Sequence, residues 1–471
     1  VHRQEMMQDA TKDTITARNG QAQEALPIRR LGSFLPGEGV GGSGMHWSGG
    51  TWRWTDMEFK IRSNYEERYG KNFIPTDMTI QDWGITYAEL EPYYDKFEKV
   101  AAVSGKAGNI QGQKKTGGNP FEAPRSGEYP LPPLKHILSS KLFGENSQKM
   151  GYNPFPRPSA NASQAYTNPD GSKFGACQYC GYCQRFGCEA NAKGSPHMTV
   201  IPIAMKKPNF ELRTHAWVTK IIKDSSGKKV TGVLYTNVTT GEEYEQPAAL
   251  VLMCAYAFNN VHLMLLSGIG EPYDPATGKG IIGKNYAYDT GVGGNLFFEG
   301  KNFNPFISAG GTNTVIDDFY GNWEFDRSKP NFVGGYIVSS GHNTALPIGY
   351  RPVPPGTPSW GKDWKAATAK YYQQAMSITT RSGVLPNRYN YLDLDTSYKN
   401  AFGQPLMRLT FDFKDNEHKM GMHGADIVNQ MISAMNPNKS SKASGAKRNW
   451  GFTPYQSTHN TGGTIMGTTP G

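Results

Sequence analysis

The stretch "GEGVGGSGMHW" (37–47) sets five glycines among eleven residues and ends on a histidine and a tryptophan. Gly37, Gly39 and Gly42 fit the pattern G-x-G-x-x-G, and Gly39, Gly41 and Gly44 fit it again two residues on. A dinucleotide fingerprint must follow a buried strand and open a helix. Here "FLPG", with Pro36, comes before and "MHWSGGTWRW" comes after, so neither flank fits. What remains is a run of bare backbone amides beside His46 and Trp47, suited to close contact with something flat and electron-rich. A tight bend with no ligand is the plainer alternative.

A second stretch, "GACQYCGYCQRFGCEANAKGSP" (175–196), gathers Cys177, Cys180, Cys183 and Cys188 at the spacing C-x2-C-x2-C-x4-C. A structural zinc usually draws on two Cys-x2-Cys pairs held apart by a longer arm, so that the ligands converge from two sides. Disulfides across so short a loop would be strained. An iron–sulfur cluster offers several corners to one winding segment, and runs of closely spaced cysteines hold such clusters. The spacing therefore favours iron–sulfur over zinc or disulfides, and a protein with such a cluster moves single electrons. Cys254, in the apolar run "LVLMCAY", reads as a buried small hydrophobe at the end of a strand.

The rest of the chain frames these two loops. With 471 residues, two or three modules sharing a large interior are expected, and 12% aromatic content with 55 glycines describes a folded, loop-rich protein. The net charge of +9 is scattered except at 438–448, which argues against nucleic acid and leaves an acidic partner or an anionic substrate. The longest apolar run, 248–258, is about half of a membrane crossing. The opening "VHRQEMMQDA" shows neither an initiator Met nor a signal pattern, so a piece of a longer protein is expected. Thr86 with Glu89 announces a helix, and 105–175 reads as an irregular insertion. Short alternating segments over 208–255 read as a small meander ending in a buried strand. A helix over "FNNVHLMLLSGIG" stops at Gly268, and strands and loops fill 300–412. A helix at about 417–435 turns Met422, Ile427, Val428, Met431 and Ile432 to one side.

The last motif, "STHNTGGTIMG" (457–467), sets His459 and Asn460 before two glycines, where an imidazole could stand over a cofactor edge. Together with "GVGGSGMHWSGGTWR" and "SGIG…GKNYAYD", it resembles the glucose-methanol-choline (GMC) oxidoreductases. The cysteine stretch narrows the resemblance to the branch with an iron–sulfur cluster, and "SNYEERYGKNFIP" and "LMLLSGIGEPYDPATGKGIIGKNYAY" are in the style of the flavoprotein subunits of membrane-bound gluconate dehydrogenases.

That resemblance implies an α/β fold, with a GMC-type FAD-binding domain (a layered βαβ sheet plus a small β-meander) and a substrate domain on an antiparallel sheet. The FAD domain takes 1–62 and 205–300. The helix, insertion and cluster loop take 63–204, the substrate domain 301–440, and the catalytic His segment 441–471. It implies FAD held by Gly39, Gly41, Gly42, Ser43, His46, Trp47, Val218 and Thr461, with His459 and Asn460 catalytic. It further implies a three-iron cluster on Cys177, Cys183 and Cys188, with Cys180 spare, or a four-iron cluster on all four. The activity implied is oxidation of D-gluconate to 2-keto-D-gluconate, with sorbitol, 2-ketogluconate or glucose as alternative substrates. Electrons would pass to a multi-haem cytochrome c subunit, and a small export-associated subunit would complete a heterotrimer at the periplasmic face of the inner membrane. A purely electron-transferring iron–sulfur protein and a zinc-stabilised module are more distant readings. Two departures stand out: the family's opening strand–turn–helix and its closing segment with a second catalytic residue have no counterpart in this sequence.

Overall fold

From Ala375 to Gly383 the side chains alternate, with Met376, Ile378, Thr380 and Ser382 buried and Ser377, Thr379 and Arg381 accessible. This is the period-two pattern of a strand with one face in a core. The computed structural model, which describes residues 14–28, 37–341, 351–451 and 459–467, makes this strand the centre of a seven-stranded antiparallel sheet. The opening ten residues, the "FLP" before Gly37 and Ser457–Thr458 lie outside the described residues.

In spatial order the sheet runs Lys439–Ser440, Gly293–Phe297, Ala375–Gly383, Tyr336–Gly341, Thr314–Ile316 and Phe155–Pro156, and Asp289–Thr290 pairs further along the central strand. Its buried face packs on the helices Leu138–Lys149 and Asp415–Met435, with Phe143, Ile316, Val338, Ile378, Val428 and Met431 at the centre. The middle of the other face is polar, with Ser339 Oγ and Thr379 Oγ1 3.4 Å apart on it, between buried Val315 and Phe155 on one side and Phe297 on the other.

A second core forms where Ile15–Arg18 pairs in parallel with Pro405–Thr410, which pairs antiparallel with Tyr391–Lys399. The helix Ala257–Leu266 covers this sheet with Phe258 and Val261. The meander Ala216–Lys223, Val230–Asn237 and Glu243–Pro247 adjoins that helix, with the Ile221 N–H donating to Ser267 Oγ at 2.9 Å. Among the described residues no helix is long and apolar enough to cross a membrane.

Several sequence readings hold locally. Thr86 caps the helix Tyr87–Val100 in a reciprocal box with Glu89, and Gly268 (φ +60°) follows the end of Ala257–Leu266. Others need correction. The insertion 105–175 contains the helix Leu138–Lys149, whose buried face includes Ser139, Ser140 and Ser147, so its apolar period is hidden. The helix Gly361–Tyr371 interrupts the region read as strands and loops. Met422 is 51% exposed, off the buried stripe of Met420, Gly424, Ile427, Val428 and Met431. The run 248–255 is not a strand: Leu250, Leu252 and Cys254 are exposed, because apolar content makes a buried strand only where a neighbouring strand meets it.

Ionic contacts anchor the tryptophan-rich segment that follows the glycine loop. Glu98 accepts Arg53 Nε at 2.8 Å and Arg125 Nη2 at 2.6 Å, and Arg125 is buried. Breaking a buried pair of this kind costs about 3–5 kcal/mol. Beside it, Glu122 takes the N–H groups of Gly108 and Asn109, and burial raises its carboxyl to about 7. The unfolded chain releases that proton near pH 4.5 and the folded chain holds it to about 7, so the native state loses stability across this window. We therefore expect Glu122→Gln to gain on the unaltered protein by on the order of 2–3 kcal/mol between pH 4.5 and 8. Urea unfolding of both proteins at the two pH values checks this, and a constant difference refutes it.

Candidate functional site

The glycine loop tightens into a 3-10 turn at Gly42–Met45. Gly41 sits at φ +95°, where a side chain would be strained and would meet Met45 Sδ at 2.8 Å. A Cβ on Gly44 would come within 2.6 Å of Pro196 Cδ, so the loop rests on the far end of the cysteine stretch. The Gly37 N–H donates to Ser43 Oγ at 2.9 Å, and the Arg185 N–H donates to the His46 carbonyl at 2.6 Å. His46 is buried, and the buried Trp47 Nε1 finds no hydrogen-bond partner among the described residues. An orphaned donor next to bare amides suits a large planar group rich in acceptors, which is what a flavin dinucleotide brings.

Lys193 joins this loop to the cysteines. It is fully buried, and its Nζ donates to the carbonyls of Trp47 (2.9 Å), Cys183 (2.9 Å) and Phe186 (2.7 Å). Burial lowers its ammonium to about 8, against the opposing pull of the nearby Cys183, Cys188 and Cys180. Burial likewise pushes the Cys177 thiol up to about 11 and the Cys183 thiol up to about 12.

Three sulfurs accept N–H groups: Cys177 from Tyr179 N (3.5 Å), Cys188 from Ala192 N (3.4 Å), and Cys183 from Asn161 Nδ2 (4.0 Å) and the Gly310 backbone. Cys180 is exposed and its sulfur accepts none among the described residues. No three His, Cys, Asp or Glu side chains among the described residues converge as they would around a single metal ion, and the five cysteines are free thiols.

The third element is built at the edge of the polar sheet face. Thr461–Gly463 pairs with Lys284–Ala287, and Gly462 approaches so closely that a Cβ would lie 1.9 Å from the Asn285 carbonyl oxygen. This pairing presents His459, whose Nδ1 lies 2.6 Å from Asp289 Oδ2. Asp289 pairs across from Gly383, next but one to Arg381, and Arg381 Nη1 stands 3.1 Å from Nδ1 and 3.4 Å from Nε2 of His459. With Nδ1–H donated to the carboxylate, Nε2 is the basic nitrogen.

Asn460 is turned away and buried, with its Oδ1 accepting from Tyr286 OH and its Nδ2 donating to Tyr256 OH. Thr461 is exposed on its strand, and Val218 is exposed on the meander opposite Tyr235, in a different sheet. Sequence reading missed Asp289, Arg381 and Lys193. Asp289 stood in the quoted "NYAYD" and Lys193 in the quoted cysteine stretch, but nothing local signalled a role for either, and Arg381 lay outside every motif.

Residues 146–297 match the family model described as GMC oxidoreductase. The gluconate 2-dehydrogenase flavoprotein of Pantoea cypripedii is 44% identical over 99% of this chain and 77% of its own length. The fructose dehydrogenase large subunit of Gluconobacter japonicus is 24% identical over 92% of this chain and 71% of its own. A formate oxidase of Aspergillus oryzae RIB40, solved to follow a mutation's effect on FAD modification, shares the fold at a TM-score of 0.50. It is 14% identical and covers 96% of this chain and 75% of its own. The chain belongs to the GMC oxidoreductase family and is a flavoprotein oxidoreductase of mixed α/β fold. FAD is the cofactor this family implies.

Lys193→Met keeps the stem and leaves three carbonyls without their donor. Unfolding in urea is expected to show a loss on the order of 3 kcal/mol, about one for each hydrogen bond. The same variant should label faster at Cys183 with a thiol reagent under chelating conditions. An unchanged midpoint and unchanged labelling would mean that Lys193 does not hold the two loops together.

Proposed function

We propose that the chain oxidises the C2 hydroxyl of a sugar acid, D-gluconate to 2-keto-D-gluconate, and hands the electrons on one at a time through an iron–sulfur cluster. The observation that carries the chemistry is the Asp289–His459 pair at 2.6 Å, with Arg381 Nη1 3.4 Å from the other ring nitrogen. FAD, when bound along Gly39, Gly41, Gly42, Ser43, His46 and Trp47, supplies the hydride acceptor.

The protein's own part is proton handling. His459 Nε2 takes the proton of the substrate hydroxyl, and Asp289 fixes the tautomer and steadies the imidazolium that results. Arg381 sets positive charge where the hydroxyl oxygen becomes negative. Asn460, gripped by two tyrosines, positions His459 instead of touching substrate. Val218 contributes backbone to the adenine end and Thr461 to the flavin end.

Cys177, Cys183 and Cys188 hold the cluster, and Cys180 is spare. The support is the hydrogen bonding: N–H groups aimed at ligating sulfurs are a standard means of setting a cluster's potential, and the three sulfurs that receive them are these. A single tetrahedral metal needs sulfurs about 4 Å apart, whereas a cluster spreads its thiolates more widely. A cytochrome c subunit accepts the electrons, and with a small export-associated subunit it keeps the complex at the periplasmic face of the inner membrane.

The visible spectrum of the natively purified complex, recorded anaerobically, tests this. D-gluconate should bleach flavin and iron–sulfur bands together, with about three irons per flavin. A flavin spectrum blind to gluconate would send the substrate assignment to sorbitol or glucose, and absence of iron would remove the cluster. His459→Ala should lower kcat about 10²- to 10⁴-fold while leaving the flavin spectrum intact. A variant with normal turnover would dismiss His459 as the base.

A further inference from the structure

The polar sheet face carries a second arginine. Arg157 follows the edge strand Phe155–Pro156, two residues beyond Phe155, so it shares the face of Ser339, Thr379 and Arg381. Its N–H is fixed on the Asn313 carbonyl at 3.0 Å. The guanidinium lies against bare backbone: a Cβ on Gly50 would fall 1.9 Å from Arg157 Nη2, and the Trp52 ring centroid is 5.9 Å from Cζ. Gly50 belongs to the segment that leaves the glycine loop, so Arg157 stands between that loop and the sheet.

Among the described residues Arg157 makes no ion pair, and its buried Nε has no hydrogen-bond partner. Burial, and behind it the positive charge of Arg381, bring the guanidinium down to about 10. A cation confined without an acid, close to another cation, is unfavourable unless an anion arrives to join them. The other buried guanidinium groups are answered: Arg53 and Arg125 meet Glu98, and Arg327 donates to the carbonyls of Tyr320, Asn322, Phe325 and Gly334.

We propose that Arg157 and Arg381 form the subsite for the substrate's carboxylate, and that this subsite selects the hydroxyl on the adjacent carbon for oxidation. The inference rests on the sugar-acid reading above and deepens it. Arg381 has donors enough for Asp289, at 3.7 Å, and for a ligand as well. Its Nη1 is 3.4 Å from His459 Nε2, so a carboxylate held there leaves only the neighbouring hydroxyl within reach of the base. Arg157 takes the second carboxylate oxygen from the Gly50 side, and the Ser339 and Thr379 hydroxyls face the sugar chain.

The test compares D-gluconate with D-gluconamide, its uncharged isostere, on the purified complex. The unaltered enzyme should favour gluconate in kcat/KM by about 10- to 100-fold, the scale of a charge-assisted hydrogen-bonded pair. Arg157→Gln should bring the ratio to within a few-fold, chiefly through KM, and Arg157→Lys should restore part of it. Equal kcat/KM for the two compounds in the unaltered enzyme overturns the subsite, whether or not the variants fold, and so does an Arg157→Gln enzyme that keeps the full ratio. An unaltered enzyme that oxidises neither compound but does oxidise an uncharged polyol overturns the sugar-acid reading itself.

Discussion

One buried ammonium sets the relation between the two loops. Among the described residues Lys193 meets no carboxylate; its three donors go to the carbonyls of Trp47, Cys183 and Phe186, two of them on the cysteine stretch and one at the end of the glycine loop. Carbonyl dipoles can satisfy a buried cation only when they converge, so the ammonium imposes a mutual position on segments about 140 residues apart in sequence. Pro196 beneath Gly44 and the Arg185 N–H on the His46 carbonyl follow from that same apposition. Three of the four cysteine sulfurs then fall where backbone or Asn161 N–H groups can reach them.

The antiparallel sheet does the complementary work. Its helix-covered face carries the larger apolar core, which leaves the middle of the opposite face to hydroxyls and a cation. Asp289 and Arg381 come together because a two-residue strand pairs beyond the end of Gly293–Phe297 on the same central strand. His459 is delivered from another part of the chain by a three-residue pairing with Lys284–Ala287, and the glycine at its centre lets the backbones meet. The tyrosines around Asn460 come from the second core, so the position of His459 is tied to both cores at once.

How much of this could be read from the sequence depended on range. The Thr86 cap, the helix ending before Gly268 and the successive hairpins of the meander are local, and each was legible. The glycine loop was legible as bare backbone but not as the neighbour of the cysteines, because a lysine 146 residues from Trp47 makes that contact. Arg381 looks like any exposed strand arginine until Asp289 pairs two positions away. Leu138–Lys149 was missed because serines occupy its buried face, and the apolar run at 248–255 was over-read because hydrophobicity does not supply a pairing strand. His459 was found through family likeness; its partners were found only in the fold.

In the proposed reading the arrangement separates two kinds of traffic. Protons would be handled at the edge of the polar sheet, where a carboxylate, an imidazole and a guanidinium touch in series and His459 is nearly half exposed to solvent. In the proposed reading, electrons leave on the other side, through a loop whose buried thiols resist ionisation unless metal takes the proton's place. Burial that raises the Cys177 and Cys183 thiols therefore favours, in that reading, a cluster over bare thiolates at those two positions. The glycine loop lies between, held to the cysteines by Lys193 and continued under Arg157 by Gly50, so a planar cofactor along it would have the proton acceptor on one flank and the electron acceptor on the other.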